Sequence, residues 1–276
     1  MRVLNVLLFC IGITVSYGSP CSDLSGTWRN ELGSNMTIKL VANSSLIIGR
    51  YSTAVESSQG AASISSNITG IIRNVENSAE GGSLVAFNVL WNNGRSLTSW
   101  VGECISCNGV EKIHTTWVLR SLKENRKKWM STLINEDTFW RVDRTSQPSP
   151  VSEDTTTVTN SNIVGEWQSV TGDSLSITNV FPQKVMKGLH KSPTATNGSP
   201  VFGQFDGNQT YTALAFVNVE GDRITGWSGH IYNPQDNKQV METSWLSYTF
   251  SNRCNNPRAN VKYGMYNYTK CSAGTC

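Results

Sequence analysis

The segment Val85-Ala-Phe-Asn-Val-Leu-Trp91 indicates the fold class, because its side chains alternate in character along the chain. A period of two places every second side chain on the same face of a β-strand. Similar short runs separated by turn residues fill the first half, and long helical periodicity is absent. We predict eight strands there, near Gly26–Asn30, Met36–Leu40, Leu46–Thr53, Ile68–Arg73, Leu84–Trp91, Ser96–Ile105, Glu111–Ser121 and Met130–Asp143.

The number and spacing of these strands favour a closed up-and-down β-barrel, because closure leaves no exposed sheet edge. After a Ser/Thr/Pro-rich stretch, which is typical of a flexible linker, the pattern of the first half returns. Three motifs keep their order: Gly26-Thr-Trp28 and Gly165-Glu-Trp167, Thr98-Ser-Trp100 and Thr225-Gly-Trp227, Thr115-Thr-Trp117 and Thr243-Ser-Trp245. We therefore interpret the chain as a tandem duplication of an all-β, eight-stranded antiparallel barrel.

The N-terminal residues have the composition of a secretory signal. Arg2 precedes the apolar run Val3–Val15, and Ser16-Tyr-Gly18 supplies a small-x-small cleavage site. The run is too short to cross a bilayer, so we expect a secreted, extracellular protein without a membrane partner. The predicted organisation is a signal peptide at 1–18, barrel 1 at 21–144, a linker at 145–162, barrel 2 at 163–270 and a Cys-containing tail at 271–276.

Export agrees with the sequons and the cysteines. Six N-glycosylation sequons are present, at Asn35, Asn43, Asn67, Asn197, Asn208 and Asn267. Removing the signal leaves six cysteines, an even set that is typical of disulfides in an oxidising compartment. Cys104-Ile-Ser-Cys107 has the spacing of a redox motif, but export favours structural bonds there. The sequence leaves open the pairing of Cys107, Cys254, Cys271 and Cys276.

The charge pattern argues against nucleic acid as a partner. The net charge is +3, and acidic and basic residues are interspersed. The one dense basic run, Arg126-Lys-Lys128, is interpreted as a solvated loop. The chain has three histidines, and this scarcity argues against a zinc site at its cysteines.

Four segments of the first half resemble the avidin family: Gly26–Ile38, Gly49–Val55, Trp117–Ser121 and Asn135–Phe139. They follow the family's order across residues 21–144. The Gly-x-Trp motif alone would also fit a lipocalin barrel, so the resemblance depends on the combined set. It implies a non-enzymatic protein that binds biotin, with a disulfide between Cys21 and Cys104.

The resemblance also implies how the polar end of biotin is bound. Asn30, Ser34 and Tyr51 match positions that donate hydrogen bonds to the ureido oxygen, and Thr53 and Asp137 match positions that accept from its two N–H groups. An unpaired buried donor or acceptor costs roughly 1–3 kcal/mol, so each of these groups needs a partner. The bond to Asp137 is charge-assisted and is therefore the stronger of the two acceptor bonds.

The remaining ligand contacts implied by the resemblance are mostly apolar. Those positions are Trp91, Trp100, Trp117 and Leu119 for the walls, Thr98 for the ring sulfur and Ser96 for the acyl end. Trp129 matches a tryptophan that the family contributes to a neighbouring barrel, so we expect a homo-oligomer or an intrachain barrel pair. Glu56, Asn93 and Gly94 depart from the family near the acyl carboxylate, and we expect an affinity below the family's best.

The second half keeps the barrel motifs but changes the implied site. By alignment, Ser169 replaces the ureido-binding asparagine, and five further positions follow: Asp173 for the serine, His190 for the tyrosine, Ser192 for the threonine, Val219 for the first tryptophan and Tyr266 for the aspartate. We predict that barrel 2 does not bind biotin usefully. It either serves assembly or takes another small ligand through His190 and Asp173.

The sequence supports a binding protein rather than an enzyme. A catalytic triad needs a nucleophile, a base and an orienting group, and none of His114, His190 and His230 lies in such a setting. We predict a secreted protein that captures biotin as a ligand and uses no catalytic cofactor. The alternatives are an avidin-like oligomerisation or interaction module with a different ligand or none, and a lipocalin-like carrier, for which the polar ureido set is a poor match.

Overall fold

The computed structural model describes residues 21–56, 62–75, 82–144, 162–207, 211–232, 239–251, 254 and 260–272. The predicted signal peptide, nearly all of the predicted linker, Asn208 and Cys276 lie outside these residues.

The first half forms one closed barrel in which each strand pairs with its sequence neighbour and β1 pairs with β8. Its strands are β1 (Gly26–Asn30), β2 (Asn35–Leu40), β3 (Leu46–Ser52), β4 (Ser66–Asn74), β5 (Gly82–Trp91), β6 (Ser96–Cys107), β7 (Val110–Ser121) and β8 (Thr132–Asp143). A short 3-10 helix, Asn125–Met130, precedes β8, so the predicted start of the last strand at Met130 was wrong.

The second half forms another closed barrel of eight antiparallel strands. These are β9 (Gly165–Ser169), β10 (Ser174–Val180), β11 (Val185–Lys191), β12 (Ser199–Gly207), β13 (Tyr211–Glu220), β14 (Arg223–Tyr232), β15 (Val240–Thr249) and β16 (Val261–Lys270). The predicted fold class, two eight-stranded up-and-down barrels, is confirmed.

The tryptophan of each Gly-x-Trp motif closes one end of its barrel. Trp28 and Trp167 are fully buried, and their indole N–H groups donate to the carbonyls of Leu24 and Ile163, each at 2.9 Å. A cation covers each ring: the Arg141 guanidinium lies 4.1 Å from the Trp28 centroid, and the Lys270 ammonium lies 5.4 Å from that of Trp167. Both repeats therefore share this arrangement of a buried indole under a cation, which we call the indole seal.

A pair of equivalent glycines allows neighbouring strands to approach closely. A Cβ atom at Gly49 would lie 2.0 Å from the carbonyl oxygen of Thr37, and one at Gly188 would lie 2.0 Å from that of Ser176. Only glycine fits at these two positions, because any side chain would overlap the backbone of the adjacent strand.

The two barrels pack against each other through the outer faces of β4–β7 and β12–β15. The apolar part of the interface is a buried cluster drawn from both barrels: Ile71, Leu84, Ala86, Val101, Val118, Phe202, Val217, Ile224, Leu246 and Tyr248. This is the intrachain barrel pair, one of the two arrangements expected from the sequence.

Disulfides support both the first barrel and the pairing of the barrels. Cys21 bonds to Cys104, as the resemblance implies, and Cys107 bonds to Cys254 across the barrel interface. The two cysteines of the Cys-x-x-Cys motif therefore have different partners. Cys271 is also disulfide-bonded. Within the described ranges, no helix is long and apolar enough to cross a membrane.

Candidate functional site

A cavity of about 140 Å³ opens at one end of the first barrel. All eleven side chains that the resemblance assigned to a ligand line this single space. Its lining comprises Asn30, Leu32, Ser34, Tyr51, Thr53, Val55, Trp91, Ser96, Thr98, Trp100, Trp117, Leu119, Leu133 and Asp137. The strand register, which pairs Trp100 with Trp117 and Thr98 with Leu119, places side chains from distant parts of the sequence on one inner face.

The end of β1 and the turn that follows it form the polar floor of the cavity. The Asn30 side-chain oxygen accepts from the Ser34 backbone N–H at 2.8 Å, and its amide nitrogen donates to Asp137 Oδ1 at 3.2 Å. The Ser34 hydroxyl oxygen accepts from the Ala54 backbone N–H at 3.0 Å. Gly33 permits the turn, because its φ of 86° lies in the left-handed region. These bonds fix Asn30 and Ser34, both buried, in one orientation.

Asp137 is the buried carboxylate of the site. Trp100 donates its indole N–H to Asp137 Oδ2 at 2.9 Å. Burial raises the pKa of Asp137 to about 6; Glu31 raises it further, whereas hydrogen bonds from Trp100, Asn30 and Trp117 lower it. The carboxylate is therefore ionised at neutral pH and acts as a buried hydrogen-bond acceptor.

Tyr51 supplies a hydroxyl that stays protonated. Burial, and next the negative charge of Asp137, raise the pKa of Tyr51 far above its ordinary value. Its ring stacks on Trp100 with centroids 5.3 Å apart and meets Trp91 edge-on at 5.6 Å. The phenol therefore lines the cavity as a hydrogen-bond donor.

The indole walls are braced by their neighbours. Trp91 donates its N–H to the Thr98 hydroxyl at 2.9 Å, and the Trp91 and Trp100 rings meet at 6.4 Å with an interplanar angle of 69°. Phe87 stacks behind Trp100 at 4.8 Å. Such packing preorganises the aromatic surface, so little side-chain freedom is left to lose when a ligand enters.

Sequence reasoning missed three residues of the lining, all at the rim. Leu32, Val55 and Leu133 line the cavity and are 55%, 50% and 51% exposed. Exposed leucine or valine beside a polar motif carries no periodic signal, and only the folded barrel brings the three together.

Among the described residues, the three predicted to weaken binding at the acyl end, Glu56, Asn93 and Gly94, do not line the cavity. The Gly94 carbonyl accepts from His230 of the second barrel at 3.2 Å, so this position belongs to the barrel interface. Trp129 lies in the 3-10 helix, but its side chain is outside the described part of the structure.

The comparison with known families matches the Avidin family model to residues 19–142 and again to 157–271. The chain belongs to the avidin family. The two matched regions are the two barrels, which makes the duplication a tandem of avidin repeats.

Individual relatives match about half of the chain. Avidin of Gallus gallus is 33% identical over 144 residues, which cover 51% of this chain and 90% of avidin. Fibropellin-1 of Strongylocentrotus purpuratus is 31% identical over 131 residues, 46% of this chain but only 12% of fibropellin-1. The crystal structure of xenavidin is 31% identical, covers 44% of this chain and 99% of xenavidin, and has a TM-score of 0.39.

The second avidin repeat keeps the backbone contacts of the site with different side chains. The Asp173 backbone N–H donates to the Ser169 hydroxyl at 2.9 Å, as Ser34 does to Asn30. His190 pairs with Leu175 as Tyr51 pairs with Met36. The Trp227 indole N–H donates to the Tyr266 hydroxyl at 3.0 Å, as Trp100 does to Asp137.

One assignment in the second avidin repeat was wrong. Trp100 pairs with Phe87 and Trp227 pairs with Phe216, so the position equivalent to Trp91 is Glu220 and not Val219. Val219 packs against the cluster between the barrels. Because side chains alternate along β13, a shift of one residue moves the assignment from the inside of the barrel to the outside.

Polar side chains inside the second repeat form hydrogen bonds with one another. His190 Nε2 lies 3.1 Å from the Tyr268 hydroxyl, which lies 3.2 Å from the Tyr266 hydroxyl. Asp173 Oδ1 is 3.6 Å from His190 Nε2. Burial lowers the pKa of His190, although the negative charges of Asp173 and then Glu220 oppose this shift. The imidazole is therefore neutral at pH 7 and takes part in a network of buried hydroxyls.

Proposed function

We propose that this protein captures biotin non-covalently in its first barrel and has no catalytic activity. Support comes from membership of the avidin family and from one observation above all: the eleven side chains matched to a biotin site surround a single cavity. A family resemblance alone would not require residues from six different strands and two loops to meet there.

The chemistry of the cavity fits a cyclic urea. Asn30, Ser34 and Tyr51 provide donors for the ureido oxygen, and Thr53 and Asp137 provide acceptors for its N–H groups. A carboxylate opposite the carbonyl polarises the urea towards a negative oxygen, which strengthens the bonds from the donors on the other side. Three indoles enclose the thioether ring and acyl chain, where each aromatic ring can bury 150–250 Å².

The contents of the second barrel argue against biotin there. In the proposed pose the Asp173 carboxylate would face the ureido oxygen, where barrel 1 has the Ser34 hydroxyl. Glu220 would replace the indole wall of Trp91. Losing several paired groups at roughly 1–3 kcal/mol each implies at least about a thousandfold weaker binding.

The proposed setting is extracellular and glycosylated. Asn43, Asn67, Asn197 and Asn267 are exposed, and Asn35 is half-buried, so the described sequons are open to solvent at least in part. Asn208 lies outside the described residues. We further propose that Trp129 completes a pocket in a neighbouring barrel, as its family position implies.

Isothermal titration of the mature, disulfide-intact chain with biotin tests the proposal. We expect one biotin per chain with submicromolar affinity. Asn30→Ala should weaken binding by roughly tenfold or more, because it removes one donor and the bond that orients Asp137; the equivalent Ser169→Ala should leave it unchanged. Absence of binding would instead favour an interaction module, and two equivalents per chain would refute the assignment of the second barrel.

A further inference from the structure

Several polar links cross the buried interface between the barrels, and three of them distinguish one barrel from the other. Arg120 donates to the Glu242 carboxylate at 2.7 Å. The hydroxyls of Ser99 and Ser228 lie 2.8 Å apart, and the Gln204 side-chain amide donates to the Asn88 carbonyl at 2.7 Å. Of these six residues, all but Glu242 are less than 9% exposed, and the side chain of Glu242 is 26% exposed.

The two barrels are repeats, so each interface residue has an equivalent in the other barrel. Trp117 and Trp245 occupy the same register, which makes Arg120 equivalent to Tyr248 and His114 equivalent to Glu242. The barrels also contact each other reciprocally: β12 contacts β5 as β13 contacts β4, and β13 contacts β6 as β14 contacts β5. Each polar link therefore has a counterpart contact made by the equivalent residues.

None of the three counterpart contacts reproduces the polar link. The counterpart of Arg120–Glu242 is Tyr248–His114, two residues that line one cleft of about 230 Å³. The other two are apolar or lack a side chain. Ile71 and Val217 belong to one buried cluster, and a Cβ atom at Gly226 would lie 3.1 Å from Val101 Cγ1.

We propose that this interface, formed here within one chain, is specific for a pair made of one first barrel and one second barrel. In a pair of two first barrels, Arg120 would face His114, Ser99 would face Val101, and the Asn88 carbonyl would face Ile71. In a pair of two second barrels, Glu242 would face Tyr248 and Gln204 would face Val217. Each like pair loses all three links at once.

The polar links discriminate because they are buried. A hydroxyl, amide or charge that loses its partner inside an interface costs more than the bond itself contributes. Loss of one link is expected to weaken pairing about tenfold, and loss of three by several hundredfold or more. The second barrel is then a dedicated partner for the first. This role does not depend on whether either barrel binds biotin.

Native mass spectrometry of a cleaved chain tests the specificity. The full chain is folded with a protease site placed within residues 145–161. The substitutions Cys107→Ser and Cys254→Ser remove the disulfide between the barrels, so that cutting the chain breaks the remaining covalent connection. Isotope-labelled and unlabelled batches are cut, mixed in mild urea and returned to buffer. We expect exchanged pairs of one first and one second barrel. Like pairs at statistical frequency, or halves that do not associate, would overturn the proposal.

A single substitution then tests the mechanism. Glu242→His places the first barrel's residue in the second barrel, so the ratio of unlike to like pairs should fall about tenfold. The charge exchange Arg120→Glu with Glu242→Arg should restore most of the wild-type ratio of unlike to like pairs. Glu166→Gln removes a carboxylate that contacts Ser176, away from the interface, and serves as the matched control. Equal ratios for Glu242→His and Glu166→Gln would contradict the role of the ion pair.

Discussion

The interiors of the two barrels differ far more than their frames. Both barrels close with a buried tryptophan beneath a cation, and both need glycine where neighbouring strands approach. Inside, the first barrel encloses a cavity lined by oriented hydrogen-bond donors and indoles. The second barrel instead contains a histidine and two tyrosines that are hydrogen-bonded to one another. The comparison shows that frame and site are specified by separate sets of residues in this fold.

Equivalent groups show how little of the frame has to change. The indole N–H of Trp100 donates to a carboxylate, and that of Trp227 donates to a phenol, with almost the same length. The threonines that pair with Asp137 and Tyr266 on the neighbouring strands are also kept. Thr115 donates to the Asp137 carbonyl at 3.1 Å, and Thr243 donates to the Tyr266 carbonyl at 2.7 Å. Backbone geometry is retained while the chemistry at the end of the side chain changes.

The largest effect is expected from placing the second barrel's acid in the first. Ser34→Asp should weaken biotin binding by at least about a thousandfold, because a carboxylate replaces a donor opposite the ureido oxygen and its charge is buried. Titration calorimetry measures the loss. The reciprocal change, Asp173→Ser, should leave stoichiometry and affinity as they are. Retention of tight binding by Ser34→Asp would place biotin in another orientation or another site.

A smaller effect is expected on the pH dependence of biotin binding, which should come from Asp137 of the first barrel. The pKa of Asp137 is raised to about 6, so the ionised acceptor is present above this pH and is lost as the pH falls through it. Biotin affinity should be constant above about pH 7 and decrease by up to about tenfold per unit below pH 6.

Titrations between pH 8 and pH 4.5 measure this dependence. Asp137→Asn is the control, because an amide oxygen accepts a hydrogen bond without titrating, and its affinity should vary much less over the same range. A wild-type affinity that stays constant down to pH 4.5 would show that ionised Asp137 does not hold the ligand.

The smallest effect concerns the hydroxyl network of the second barrel. Tyr268→Phe removes the group that bridges His190 and Tyr266, and it installs the residue that the first barrel has at the equivalent position, Phe139. The ring should still fit, so the cost is about 1 kcal/mol in the free energy of unfolding, for the lost hydrogen bonds. Urea denaturation with biotin present measures it. An unchanged stability would mean that the network does not stabilise the barrel.

Strand alternation and the ordered tryptophans were enough to predict both barrels. The site of the first barrel was predicted from the resemblance to the avidin family, whose segments it follows in order with only small length changes between them. The second barrel shows where this fails. Four residues, 92–95, separate Trp91 from Ser96, but only Gly221 and Asp222 separate Glu220 from Arg223. Alignment through a shortened turn shifted one assignment to Val219, and only the strand pairing corrects it.

Contacts between residues of different barrels likewise could not be predicted from the sequence. Cys107 and Cys254 are 147 residues apart, and their bond depends on how two folded barrels pack. The same holds for Gly94, which matched a ligand-binding loop in sequence but contacts His230 in the structure. Interface residues carry no periodic signal that distinguishes them from other outward-facing strand positions.

The indole seals of the two barrels have a consequence for optical measurements. Trp28 and Trp167 are fully buried and hydrogen-bonded to backbone carbonyls at the closed ends, so their fluorescence should contribute a constant background. Trp91, Trp100 and Trp117 line the cavity and lose contact with water when it fills. A blue shift in emission on ligand addition would therefore report occupancy of the first barrel without any label.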